Sequence, residues 1–240
     1  TGFKFAGLTD IGLHRAANQD SYYISPAGEL FLVADGMGGH AGGQEASRLA
    51  TTTICNYLQA HRDSDRPSEE LLEQAILAAN QAILSDQRRY PERADMGTTV
   101  VLLMVRDDQL WCAHVGDSRL YLLRESKLFQ LTEDHTWIAQ ALQRGDLLPS
   151  ERQHHPWRHV LSQCVGREDL KSVEIQRLKT VAGDRLLLCS DGLSEELSSE
   201  VIGGYLQSAP TCTEAASGLI EAAKARGGHD NITAITLFIP

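Results

Sequence analysis

The chain has 240 residues, 42% hydrophobic and 22% charged, with a formal net charge of −10. That composition excludes a disordered chain, which lacks the apolar content to fold, and a nucleic-acid groove, which needs clustered Lys and Arg. The longest uncharged apolar run, Val100 to Val105, is far below the roughly 18 residues that read as a membrane span. No N-terminal stretch has the charged-then-apolar build of a secretory signal, so the expected location is cytoplasmic with no membrane attachment. Cys55, Cys112, Cys164, Cys189 and Cys212 are odd in number and lack a C-x-x-C pair. Reduced thiols are therefore expected, not a disulfide framework or a zinc knuckle.

In chain order, strand signals come first: an alternating run near Lys4 to Leu8, then Ser21 to Ser25, then the continuous apolar run Leu30 to Ala34. Two amphipathic helices follow. Ala46, Leu49, Ala50, Thr53, Ile54, Tyr57 and Leu58 recur at spacings of three and four. So do Leu72, Ala75, Ile76, Ala79 and Ile83, after Pro67-Ser68 with Glu69 and Glu70 in the first turn. A meander of short strands spans about Thr98 to Leu131, with turns at Arg106 to Gln109, Gly116 to Arg119 and Glu125-Ser126.

Thr136 to Val160 differs in kind. It holds Trp137 and Trp157, Arg144, Arg152 and Arg158, and His154, His155 and His159, with only two acids, and its short helix is broken by Gly145 and Pro149. Strands resume at Ser172 to Leu178 and Arg185 to Ser190. Thr211 and Glu214 form a capping box for a last helix, Gly227-Gly228 stops it, and Ile232 to Ile239 closes the chain as a strand. The order lacks the strict strand–helix alternation of a parallel sheet. It predicts an α+β protein of antiparallel sheets with helices packed outside.

The placement of aspartates carries the chemistry. Leu30-Phe-Leu-Val-Ala-Asp35-Gly36 and Leu186-Leu-Leu-Cys-Ser-Asp191-Gly192 share one design, an apolar strand, a small residue and Asp-Gly. Asp117 stands between two strands, Asp230 opens the last strand, and Asp20 opens the second. One Asp-Gly pair reads as a β-turn. Five carboxylates at the ends of apolar strands do not, because an unpaired anion at a core edge costs several kcal/mol. Arg15 and Arg119 cannot neutralise five carboxylates, whereas divalent metal can, with carboxylates and carbonyls as hard ligands for Mg²⁺ or Mn²⁺. The glycines are expected to let the chain bend so that a carbonyl turns inward.

Competing chemistries fail on spacing. No cysteine is followed by Arg six positions on, and there is no D-x-D-x-T, G-x-S-x-G or H-E-x-x-H motif. Gly36-Met-Gly38-Gly-His-Ala41 matches a degenerate dinucleotide fingerprint, but Asp35 would set charge beside a pyrophosphate and no β-α-β unit follows.

Seven segments occur in order: Arg15-Ala-Ala-Asn-Gln-Asp20, Val33-Ala-Asp-Gly-Met-Gly-Gly-His40-Ala-Gly-Gly43, Gly97-Thr-Thr99, Val115-Gly-Asp-Ser-Arg119, Leu131-Thr-Glu-Asp-His135, Cys189-Ser-Asp-Gly192 and Asp230-Asn-Ile-Thr233. Together they resemble the PPM/PP2C family of metal-dependent serine/threonine phosphatases in its minimal bacterial form. The likeness is greatest to cyanobacterial members, which include phosphatases of the signal protein P-II. The resemblance implies a two-sheet antiparallel β-sandwich flanked by helix pairs, as one domain over 1–240 with a flap at about 136–160.

By the same resemblance, Asp35 bridges two metals, Gly36 offers its carbonyl, Asp191 and Asp230 complete the other site, and Asp117 with Asp191 holds a third ion. Asp20 acts through water, Arg15 grips the phosphate as a planar fork, and His40 is the candidate general acid. Met37 stands where some members carry that His. Paired cations would acidify a water for in-line attack on phosphorus, without a phosphoenzyme. His114, His135 and His229 are expected to be structural or to support the site from behind. Arg144, Arg152 and Arg158 are expected to bind an acidic phosphoprotein surface. The expected partner is thus a phosphorylated protein, the cofactor is two or three Mg²⁺ or Mn²⁺, and the chain is expected to be a monomer. The rival readings are a phosphatase of a small phosphorylated metabolite, favoured by a deep pocket, and a non-catalytic binding module, which would lack a metal-site Asp. An acidic two-metal nuclease is disfavoured by the absence of a basic tract.

Overall fold

The structure, a computed structural model, describes residues 2–39, 41–170 and 173–240, with the side chains of 152–154 left aside. Eleven strands and six α-helices are found among the described residues. The first part comprises β1 (Lys4–Asp10), β2 (Asp20–Ile24), β3 (Leu30–Met37), α1 (Gly42–Ala60), α2 (Ser68–Arg89), β4 (Gly97–Thr98), β5 (Val100–Arg106), β6 (Gln109–Val115), β7 (Arg119–Arg124) and β8 (Lys127–Gln130). Then come α3 (Trp137–Arg144), β9 (Glu174–Leu178), β10 (Arg185–Cys189), α4 (Asp191–Ser194), α5 (Ser199–Ser208), α6 (Cys212–Ala225) and β11 (Ile232–Phe238).

One sheet runs β1-β11-β10-β7-β8 and the other β2-β3-β5-β6-β9, with β4 pairing β3; every pairing is antiparallel. The continuous apolar runs have a direct cause: the central strands are buried on both faces. In β3, Phe31 and Val33 face the second sheet while Leu32 and Ala34 face α1 and α2. In β10, Leu186 and Leu188 lie between the sheets while Leu187 and Cys189 pack under α5 and α6. The result is four layers, helix–sheet–sheet–helix, around three apolar clusters. At about 25 cal/mol per Å², each fully buried Leu or Ile contributes on the order of 2 kcal/mol.

The local elements follow their signals. Thr211 Oγ1 caps α6 through the Glu214 amide, at 3.2 Å. Gly145 ends α3 at φ 78°, and the tight turns after β5 and β7 use left-handed Asp107-Asp108 and Glu125-Ser126. All five cysteines are free thiols. Two expectations need correcting. β3 does not stop at Asp35 but runs to Met37, because its edge finds a second partner in β4, with Gly36 opposite Thr98. Neither Gly36 nor Gly192 takes a left-handed φ, although the chain does turn at Gly192 from β10 into α4, so what both positions require of glycine is the missing side chain. They are points of backbone approach: a Cβ on Gly36 would stand 1.9 Å from the Gly43 carbonyl oxygen, and one on Gly192 2.0 Å from that of Asn231.

Candidate active site

Antiparallel pairing places the aspartates together. Asp20, first in β2, lies in register with Asp35. Cys189 at the end of β10 faces both Arg119 at the start of β7 and Ala234 near the start of β11. Asp117, Asp191 and Asp230 therefore emerge at one end of their sheet. The two sheet ends are tied there by Asp20, whose Oδ2 accepts from Ser190 Oγ at 2.8 Å and Thr233 Oγ1 at 2.6 Å.

A shell of short polar side chains fixes the ring. Thr99 Oγ1 accepts from the Asp35 amide at 3.0 Å and meets Ser118 Oγ at 2.6 Å, and the Thr99 amide donates to the Asp35 carbonyl. Asn231 Oδ1 accepts from the Gln19 amide, while its Nδ2 donates to the carbonyls of Ile11 and Ala17. That holds the loop carrying Arg15 against the Asp230 turn.

The electrostatics are unfavourable for bare carboxylates. Burial pushes Asp20 up to about 6, against the hydrogen bonds from Thr233 and Ser190. Burial, then the charges of Asp20 and Asp191, raise Asp35 well above the usual carboxylate range. Asp117 is raised by burial and by Asp191, and Asp191 by burial despite its contact with Asp35. No described Lys or Arg pairs with Asp20, Asp35 or Asp191. Arg119 is committed to Asp134, with nitrogen–oxygen distances of 2.8 and 2.6 Å. Arg15 donates to Asp230 at 2.7 Å, with 51% and 33% of the two side chains exposed.

Two further oxygens, Asp20 Oδ1 and Asp191 Oδ1, are buried and accept no hydrogen bond. Such groups are normally satisfied. An all-oxygen donor set with buried, unused lone pairs fits hard divalent cations. Three at a time, the aspartate oxygens do not close to within 4.8 Å among the described residues. They converge on one end of the sheets without closing on a single point.

These five positions lie in five of the seven sequence segments. A sequence profile for protein phosphatase 2C matches residues 14–221. The chain belongs to that family. It is 39% identical over 235 residues to the serine/threonine protein phosphatase PstP of Mycobacterium tuberculosis, covering 97% of this chain but 44% of that one. It thus spans about half the length of that relative. It is 34% identical over 232 residues to the protein phosphatase PhpP of Streptococcus pneumoniae, covering 94% and 93%. The catalytic domain of PstP in complex with two manganese ions superposes with a TM-score of 0.85 at 34% identity, covering 99% of each chain.

The structure of this protein phosphatase 2C chain brings some of the expected site residues together and not others. Asp20, Asp35, Asp117, Asp191 and Asp230 converge. Arg15 reaches the ring, but it rests on Asp230 instead of standing free. His40 lies outside the described residues, as does the side chain of Arg152. Arg144 and Arg158 are exposed. Ser190, Thr233, Thr99 and Asn231 do structural work at the site that their residue types alone did not announce. For Ser190 and Asn231 the signal was position, each adjoining a ring aspartate, whereas Thr233 follows Asp230 by three residues and Thr99 stands in a segment without an aspartate. His159, on the return limb of the 136–160 excursion, lies 3.6 Å from Glu195 and close enough to Asp191 to favour its charged form.

Proposed function

We propose that this chain is a Mg²⁺- or Mn²⁺-dependent phosphatase that hydrolyses phosphoserine and phosphothreonine in proteins. Residues 1–240 act as one catalytic domain, as a monomer in the cytoplasm. The observation that carries the reading is the ring of aspartates, with two orphaned buried oxygens and no described Lys or Arg paired with Asp20, Asp35 or Asp191, in a chain of the protein phosphatase 2C family. The PstP catalytic domain, similar over its whole length, holds two manganese ions.

Asp35, Asp191, Asp230 and Asp117, with the Gly36 carbonyl, would hold the cations. When bound, they acidify water and polarise the phosphoryl oxygens. The remaining work belongs to the chain itself. Ser190 and Thr233 lock one oxygen of Asp20, which leaves the other to orient and hold a proton on water at the cleft. Arg15 is loosely committed, because a half-exposed ion pair is worth about 0–1 kcal/mol. With Asp230 engaged by a cation, the Arg15 guanidinium would be free to grip two phosphate oxygens. The open placement of Arg15 and Asp230 favours a phosphorylated protein surface over an enclosed metabolite. A signal protein such as P-II is a natural first substrate to try.

Phosphate release from a phosphothreonine peptide tests the reading. Mn²⁺ should support turnover and EDTA should abolish it. Asp35→Ala should lose more than about 100-fold, beyond the range for removing an outer partner of a bound metal. Undiminished release under chelation contradicts the proposal.

A further inference from the structure

Behind Asp117 lies a cluster the mechanism does not use. His114 and His135 are both buried, their rings stacked at 4.6 Å and inclined by 17°, and Glu174 on β9 lies across from them. One donor atom from each of the three lies within 4.8 Å of the others, the spacing of a cation site. The hydrogen bonds decide otherwise. His114 Nε2 is 2.8 Å from the Glu133 carbonyl oxygen; a carbonyl only accepts, so that nitrogen carries a proton. His135 Nδ1 accepts from the Gly116 amide at 3.0 Å, so its proton sits on Nε2, which donates to Glu174 Oε1 at 3.1 Å. Both nitrogens facing Glu174 are protonated, and neither has a lone pair for a metal.

Instead, the network clamps one turn. The His135 amide donates to the Gly116 carbonyl at 3.0 Å while its ring accepts from the Gly116 amide, so both backbone groups of Gly116 are taken by one residue. Only glycine fits this turn: its φ is +107°, and a Cβ there would lie 2.7 Å from Thr99 Cγ2. The next residue is Asp117. We infer that His135, oriented by Glu174, is a positioning residue that aims the Gly116–Asp117 turn at the cleft and so sets the affinity of the cation held by Asp117. This rests on the proposed metal-dependent function. Carboxylate–imidazole pairs behind metal ligands commonly tune the ligand in this way; here the imidazole acts through the amide next to the ligand.

Manganese binding measured by calorimetry, with no turnover, tests it. Asp117→Ala defines which ion is at issue as the one whose binding it abolishes. His135→Ala should weaken that ion about tenfold or more and leave the others within about twofold. His135→Asn should recover most of the loss, because the Asn Oδ1 can take the Gly116 N–H. Glu174→Ala should show a smaller loss in the same ion, and decides the matter if His135→Ala does not fold. The inference is overturned if His135→Ala or Glu174→Ala binds every ion as the parent does. It is also overturned if Asn is as poor as Ala, or if all ions weaken together. A parent that binds no Mn²⁺ at all would instead sink the metal-dependent reading itself.

Discussion

Asp20 shows how one side chain joins stability to chemistry. Without cations its carboxyl titrates at about 6 instead of near 3.8, chiefly because it is buried. The folded chain therefore holds that proton more tightly than the unfolded chain. Stability falls as pH rises between about 4 and 6, and the loss is complete above that window. A shift of two units is worth on the order of 3 kcal/mol. In EDTA, urea unfolding at pH 4 and pH 7 should show the parent losing about that much relative to Asp20→Asn, whose amide oxygen still accepts from Ser190 and Thr233. A pH-independent difference contradicts the account. With saturating Mn²⁺ the trend should reverse, since ligating carboxylates must be ionised.

At the scale of elements, strands supply the aim and glycines the closeness. Gly36→Ala drives a methyl into the Gly43 carbonyl where α1 meets β3, and overpacking of this kind costs about 1–3 kcal/mol. Gly204 of α5 has open space around it, so Gly204→Ala should move stability the other way, by up to about 1 kcal/mol. Chemical denaturation of both variants checks the pair, and equal effects would refute the close-approach argument. The 136–160 excursion makes a different prediction. Neutralising Arg144, Arg152 and Arg158 should damage turnover of a phosphoprotein far more than that of a small aryl phosphate, and equal losses would count against a substrate-binding role.

Elements with strong periodicity were legible in the sequence. Leu30 to Ala34 and the 46–58 face are unambiguous because burial demands them. α5 was not: Gly203-Gly204 interrupts it, and only Ile202 and Leu206 are buried along its length. The extension of β3 past Asp35 was hidden because its partner β4 is two residues long, too short to leave a pattern. The Gly-after-Asp signal was visible, but its cause was not, since close approach of Gly43 or Asn231 is a tertiary fact. Likewise the ring of aspartates could be anticipated from strand ends, whereas the Arg15–Asp230 pair and the His135 clamp depend on contacts between segments about 215 and 19 residues apart.

For the whole molecule, two sheets buried on both faces make a rigid frame whose one end gathers five acids, in a chain already at −10. The frame holds them there at an electrostatic cost, and bound cations would turn that cost into stability, by RT ln(1 + [M]/Kd) for each site. The most direct test is to locate the ions. Crystals of the parent grown with Mn²⁺ should show anomalous scattering peaks at the manganese edge between Asp35, Asp191 and Asp230, with Arg15 swung away from Asp230. A cleft without a manganese peak, with Arg15 still bound to Asp230, would contradict the account.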